Sequence, residues 1–259
     1  PFMNLYVLLK MVPDTVEELE VAADGKSLDS EFLRFKLSEP DDHALEQALI
    51  LKEKMGGKVT VVAFDAPEVD DVLFTALAKG ADRAVKIPLN QASLGTVASA
   101  KVLTEFFAAA GALTPDSLLL PGSQAIDDLE GELAPLLAAA LKLPYIGVVC
   151  GVTGDAGKVT VLKEFAGGLR GEFEVTLPAV LGIQSAEKPP RYVPVAKVRA
   201  VMKSAQIEEA ALASPEQPIQ LDIERMYKPE AAGRAQMIEG STEEVADQLV
   251  EVLAKNSVI

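Results

Sequence analysis

The sequence predicts an α/β fold: a mostly parallel sheet with helices on both faces, an antiparallel hairpin at one edge and a protruding C-terminal arm. Three observations carry this. Up to residue 152, short apolar runs of strand length alternate with longer stretches of helical periodicity, the pattern of βαβ units with right-handed crossovers. After Thr153, glycines punctuate two β-rich segments at hairpin spacing, and an antiparallel edge on a parallel sheet needs no second domain. Beyond Gln184 the strand and helix alternation stops and a basic segment follows.

The elements follow in order. Residues 4–9 (NLYVLL) form a first buried strand and 10–14 (KMVPD) its exit loop. The chain then runs through a loop turned at Ala23, Asp24, Gly25 and Lys26 to a helix over 42–55, with Asp41 as its N-cap and Gly56 and Gly57 as its stop. Ala44, Leu45, Ala48, Leu49 and Leu51 give that helix its apolar face. A strand over 58–64, a helix over 70–79 stopped by Gly80, and a short strand over 84–87 come next. A long helix over 94–110, a strand over 117–120, a helix over 133–143 and a strand over 145–152 complete the alternation. Residues 158–163 and 170–176 pair as the hairpin, and 179–184 is a last core strand. Near the C-terminus Ser241 and Glu244 have capping-box spacing, and a helix over 243–253 carries an apolar face of Val245, Leu249 and Leu253. That face must pack on its own domain or on a partner.

Composition narrows the chemistry. The 259 residues are 49% hydrophobic, enough for a packed core, and 24 Lys plus Arg against 39 Asp plus Glu give a net charge of −15. That sign argues against nucleic acid as a partner. No apolar run approaches the ~20 residues that span a bilayer, and no basic segment with a cleavable apolar stretch opens the chain, so a cytoplasmic protein without membrane insertion is expected. One cysteine and one histidine leave no intrachain disulfide and no Cys/His zinc cluster. Cys150 lies in an apolar run and reads as a buried thiol; His43, beside Asp41 and Asp42, is the only histidine available to a nucleophilic triad. Acid/base work by carboxylates alone stays open, but nothing singles out a pair, and a binding or carrier role without catalytic residues of its own is expected.

The most informative segment is 121–135. It joins a strand to a helix through a glycine-bearing turn, where backbone N–H groups converge on bound nucleotides in open α/β sheets. Its charge is odd for that role: Asp127, Asp128, Glu130 and Glu132 would repel a phosphate. The same acids also suit the dipole of the helix that follows. A second inversion lies at 188–203, where Lys188, Arg191, Lys197, Arg199 and Lys203 occur with no acid. The segment is either a solvated basic loop or a docking element, with Tyr192, Val193 and Val195 as apolar contacts inside the basic frame.

Several motifs together resemble the β subunit of electron transfer flavoproteins: VLLKMVPDT at 7–15, DDHALEQALILKEK at 41–54, TALAKGADRA at 75–84, GSQAIDD at 122–128, EFAGG at 164–168, PPRY at 189–192 and STEEVADQLVEVL at 241–253. The resemblance implies a Rossmann-like sheet of the adenine nucleotide α-hydrolase type. It also implies a heterodimer in which an α subunit holds most of an FAD while this chain binds AMP and helps close the FAD site. Electrons would come from flavoprotein dehydrogenases, such as those of fatty acid oxidation that act on acyl-CoA, and pass to a quinone reductase.

Carried over by position, the AMP contacts fall on Leu8, Ser38, Glu39, Pro40, Asp41 and Phe64. They continue through Gly122, Ser123, Gln124, Ala125, Ile126, Asp127, Asp128, Leu129, Glu130, Gly131, Glu132 and Leu133. The family's usual Asn-Pro-x-Asp stands here as Ser38, Glu39, Pro40, Asp41. Leu8 and Phe64 also suit plain core packing, and Asp41 helix capping. Thr15 maps to the FAD edge. The basic segment corresponds to the family's recognition loop, with Val195 as its anchor, Val193 as the second choice, and Arg191, Tyr192 and Lys197 around them. The implied organisation is a nucleotide-binding domain over 3–185, a recognition loop over 186–204, and an arm over 205–259 that contacts the α subunit. Two other readings stay open: a stand-alone ATP- or AMP-binding sensor or enzyme of the same fold, for which no SGGxDS or GxxGxxxxG loop is present, and a bifurcating relative with FAD in the AMP place.

Overall fold

A computed structural model of the chain describes residues 3–259 apart from 32, 110, 112, 129, 156, 213–222, 230–232, 234 and 236. The first strand, β1 (Met3–Leu9), shows how one sheet serves two layers. Leu5, Val7 and Leu9 point into one apolar cluster, and Tyr6 and Leu8 into another on the opposite face. Successive side chains of a strand alternate faces, so a strand covered on both sides must be apolar at nearly every position.

After β1 come a two-stranded antiparallel ribbon, β2 (Met11–Pro13) with β3 (Phe35–Leu37), and helix α1 (Glu39–Met55). Next are β4 (Gly57–Asp65), α2 (Val69–Lys79), β5 (Arg83–Asn90) and α3 (Thr96–Ala109). Strand β6 (Ser117–Leu120), helix α4 (Leu133–Leu141), the hairpin strands β7 (Tyr145–Asp155), β8 (Lys158–Glu164) and β9 (Arg170–Thr176), and β10 (Ala179–Ile183) follow. The chain continues through α5 (Val195–Met202), β11 (Glu208–Glu209) and α6 (Thr242–Lys255).

The nine-stranded sheet runs β11-β5-β4-β1-β6-β10-β7-β8-β9. Its strands are parallel from β11 to β7, and β8 and β9 add the antiparallel edge. On one face α1 and α2 contribute Leu45, Leu49 and Leu73 to the core, and on the other α3 and α4 contribute Phe107 and Leu137. The α/β class, the parallel sheet and the edge hairpin are as the sequence predicts.

Four local expectations need correction. The exit loop at 10–14 contains β2, because its partner β3 lies more than twenty residues on and no local signal announces the pairing. Asp41 is not the N-cap of α1. The helix begins at Glu39 with Ser38 at the N-cap, and the backbone N–H groups of Asp41 and Asp42 both donate to the Ser38 carbonyl at 3.1 Å. Pro40 fits the first turn because its missing N–H falls where no intrahelical acceptor exists.

The segment 188–203 is not loop throughout: it contains α5, which packs against α2 with Val198 and Val201 half-buried and Val195 exposed. Cys150 is half-buried rather than buried; its Sγ donates to the Leu162 carbonyl at 3.4 Å, and burial, then Glu164, push the thiol up. A raised thiol is a poor nucleophile.

Candidate functional site

The order of the sheet creates the site. From β1 the chain moves to β4 and β5 on one side, then crosses back to start β6 on the other. At such a switch point the loops leaving neighbouring strands diverge and open a crevice at the carboxyl ends. A cleft of about 730 Å³, open solvent at its mouth included, lies there. Its walls are Leu8, Leu9 and Lys10 at the end of β1, Val62, Ala63 and Phe64 from β4, and Pro121 to Ala125 after β6. Asp41, Asp128 and Leu133 complete the predicted side.

Asp41 organises this end of the molecule. It is 7% exposed, and its carboxylate accepts the backbone N–H of Lys10 and that of Gly122, each at 2.9 Å. One side chain thus ties the ends of β1 and β6 to the start of α1. Position 122 has to be glycine for this contact, since a Cβ would collide with Asp41 Oδ1 and lie 2.9 Å from Pro40 Cβ. Burial drives the Asp41 carboxyl up to about 7, while the two N–H donors and Lys10 pull the other way and Asp127 adds to the rise.

The loop over the cleft is braced from within. Gln124 Nε2 donates to the Asp128 carbonyl at 2.9 Å, and Asp128 Oδ1 accepts the N–H of Gly131, which has φ +62°. The Ser123 hydroxyl donates to Gln184 Oε1 at 2.6 Å, and its N–H to the Ile183 carbonyl. Asp127 is paired with Lys10 Nζ at 2.6 Å across the mouth. Glu130 and Glu132 are exposed and line neither this cleft nor the one beside it. The expectation at Leu129 lies outside the described residues.

A second cleft of about 820 Å³, also open at its mouth, shares Gln124, Ala125 and Asp128 with the first. It is lined by Thr15, Ser38, Glu39, Pro40 and Ile126 together with Val12 and Lys36. The structure therefore gathers the predicted residues into two adjoining spaces separated by one loop. Ser38 Oγ is 99% buried, and among the described residues it has no hydrogen-bond partner. A buried hydroxyl without a partner costs about 1–3 kcal/mol. Leu8 and Phe64, 6% and 8% exposed, are both core residues and cleft wall.

Sequence reasoning missed the far wall. Gln91, Leu94, Thr96, Ser99 and Leu103 belong to the turn after β5 and the start of α3. Gln91 exchanges two hydrogen bonds with the backbone of Met11, at 2.6 and 3.1 Å, and so closes the cleft against β2. No motif marks these residues. Lys10 was legible by position, as the first residue after a central strand. It is the only cation among the described residues lining the first cleft.

The docking candidates are not equivalent. Tyr192 and Val195 are 84% and 60% exposed, Lys197 is exposed, and Val193 is half-buried. Arg191 faces inward and binds Glu46 and Glu53 of α1.

Fold and cleft define an α/β protein of the Rossmann-like class with a cleft at its switch point. Residues 30–215 match the electron transfer flavoprotein domain. The chain is 32% identical over 271 residues to the electron transfer flavoprotein subunit beta of Methylophilus methylotrophus, covering 97% of this chain and 98% of that one. It is 33% identical over 259 residues to the subunit of the same description from Syntrophomonas wolfei, covering 99% and 98%. It is also 27% identical over 270 residues to the acryloyl-CoA reductase electron transfer subunit gamma of Anaerotignum propionicum, covering 99% and 100%. The chain belongs to the electron transfer flavoprotein family, in the position of its β subunit. Membership makes it an electron-transfer protein associated with flavin and the partner of an α chain. Among the described residues no helix is long and apolar enough to cross a membrane.

Proposed function

We propose that this chain is the β subunit of a non-bifurcating, cytoplasmic electron transfer flavoprotein that holds AMP as a structural ligand in the switch-point cleft. The observation that carries this reading is the Asp41 bridge. A buried carboxylate, a required glycine and the end of β1 form a rigid floor.

The residues fit the nucleotide by chemistry. Leu8, Phe64 and Leu103 offer apolar walls to a base, and the free lone pairs of Asp41 can accept from a ribose hydroxyl. Backbone of the 122–133 loop and Lys10 would receive the phosphate. Lys10 would have to leave Asp127, and an exposed ion pair is worth no more than about 1 kcal/mol.

FAD, held mainly by the α subunit, supplies the redox chemistry, and this chain closes one side of its site with Thr15 at the flavin edge. Its own residues make no bonds: they position, exclude water and present a docking surface. That surface is the segment 186–204, with Val195 and Tyr192 as exposed apolar contacts. Lys197 adds charge, Val193 is the second anchor and Arg191 fixes the base. Flavoprotein dehydrogenases, of the kind that oxidise acyl-CoA, would dock there and donate electrons destined for a quinone reductase. The sheet domain spans 3–185, and the arm over 205–259 reaches the α subunit.

The test is the nucleotide released on denaturing the heterodimer co-expressed with its α chain. One AMP and one FAD per heterodimer is the expected result. Two FAD and no AMP would replace the reading with a bifurcating one, ATP would favour a sensor or enzyme, and a colourless preparation would end it.

A further inference from the structure

The chain leaves β10 and crosses the outer face of α1 before reaching α5, and on that crossing the helix accepts three backbone N–H groups with side chains. His43 Nδ1 accepts from Ala186 at 3.2 Å, Gln47 Oε1 from Glu187 at 3.2 Å, and Glu46 Oε2 from Arg191 at 2.9 Å. Side chains at 43, 46 and 47 share one helix face, so the crossing is seated along it. The seat ends in a stronger device. Glu46 is 4% exposed, and its two oxygens take Nε and Nη2 of Arg191 at 2.9 Å, while Nη1 reaches Glu53 at 2.5 Å. A fork-to-fork pair of this kind fixes the direction as well as the position of the guanidinium. The next residue, Tyr192, is 84% exposed, and Val195 begins α5 three residues further on.

We propose that Glu46, acting through Arg191, is the positioning residue of the docking segment: it anchors the base of that segment to α1 so that Tyr192 and Val195 are presented in one place to the incoming dehydrogenase. Arg191 is then no contact residue. Its charge is spent on two carboxylates of its own chain, and Glu46 lies too deep to touch a partner. The inference rests on the docking reading above.

The experiment uses the full heterodimer and two readouts. The first is the apparent KM of an acyl-CoA dehydrogenase from the same organism for the heterodimer, with kcat and flavin content measured alongside. The second is the rate of trypsin cleavage after Lys197 and Arg199, which follows local loosening. Glu46→Gln, Arg191→Gln and the double variant are compared; Gln at 46 keeps an acceptor for the Arg191 N–H, and intact flavin content establishes that each variant folds. Each single substitution is expected to raise KM about tenfold with kcat unchanged, as loss of a charge-assisted hydrogen bond would. The double variant should be no worse than either, because the two residues act as one unit, and trypsin should cut all three faster. If Arg191→Gln raises KM while Glu46→Gln does not, Arg191 touches the partner directly and the proposal is overturned. Unchanged trypsin rates overturn it as well. Val195→Ala separates the underlying reading: if it leaves KM unchanged, docking at this segment fails, and the trypsin signature still reports on the anchor by itself.

Discussion

Asp41 illustrates how much one side chain can be asked to do. Both of its oxygens face N–H donors, an arrangement suited to a carboxylate, yet its burial favours the neutral acid and raises its pKa to about 7. In the unfolded chain the group has an ordinary value near 3.8. Between about pH 4 and about pH 7 the folded state therefore binds a proton that the unfolded state has released, and stability falls as pH rises through that window. The loss attributable to this group is about 4 kcal/mol, from roughly three pK steps at 1.36 kcal/mol each. Asp41→Asn should flatten that slope. It should also lower stability at pH 4–5, since an amide can accept only one of the two N–H groups. Urea unfolding midpoints measured from pH 4 to pH 8 check both effects, and an unchanged slope would show that Asp41 stays ionised in the fold.

Among the elements, α6 stands apart. Ser241 and Glu244 close a full capping box at its start, yet none of its residues is buried. Leu249 and Leu253 are 47% and 38% exposed, and Val245 is half-buried. An amphipathic helix with its apolar stripe in water has a stable start and no reward for its face. The face is expected to meet the α chain. Leu249→Lys should leave the thermal unfolding of the separate chain within about 0.5 kcal/mol, as surface substitutions do, and weaken heterodimer formation by at least tenfold. Amide exchange supplies a second measure: α6 should exchange fast in the chain alone and slowly in the heterodimer.

At the scale of the whole molecule, charge is unevenly spread. The chain carries −15, yet 188–203 holds five cations and no acid. Not all of that charge faces outward, because Arg191 is neutralised by Glu46 and Glu53. Exposed Lys188, Lys197, Arg199 and Lys203 remain, and under the proposed docking they would steer an acidic partner. The association rate with a dehydrogenase should fall as salt rises from 0.01 to 0.15 M, where the screening length drops from about 30 to about 8 Å. Stopped-flow flavin reduction over that range measures it. Lys197→Gln should reduce the salt slope; Arg191→Gln should leave the slope nearly as it is, since its charge is already compensated.

The sequence by itself determined the α/β class, the edge hairpin and the capped C-terminal helix, because each is written locally: apolar runs bounded by glycine, β-rich segments at turn spacing, Ser241 three residues before Glu244. The family resemblance pointed to the loop 122–128 and the start of α1 together, and Asp41 joins them by accepting the Gly122 N–H. Tertiary structure alone decided the rest. Gln91 came to line the cleft, Asp41 became a bridge between strands instead of a helix cap, and Arg191 turned inward to a glutamate 145 positions away. Glu130 and Glu132, which looked like obstacles to a phosphate, turned out to face solvent. The contacts of Gln91, Asp41 and Arg191 each depend on a partner distant in sequence, and periodicity reports only on neighbours. Where a charged side chain points is settled by what the fold brings within reach of it.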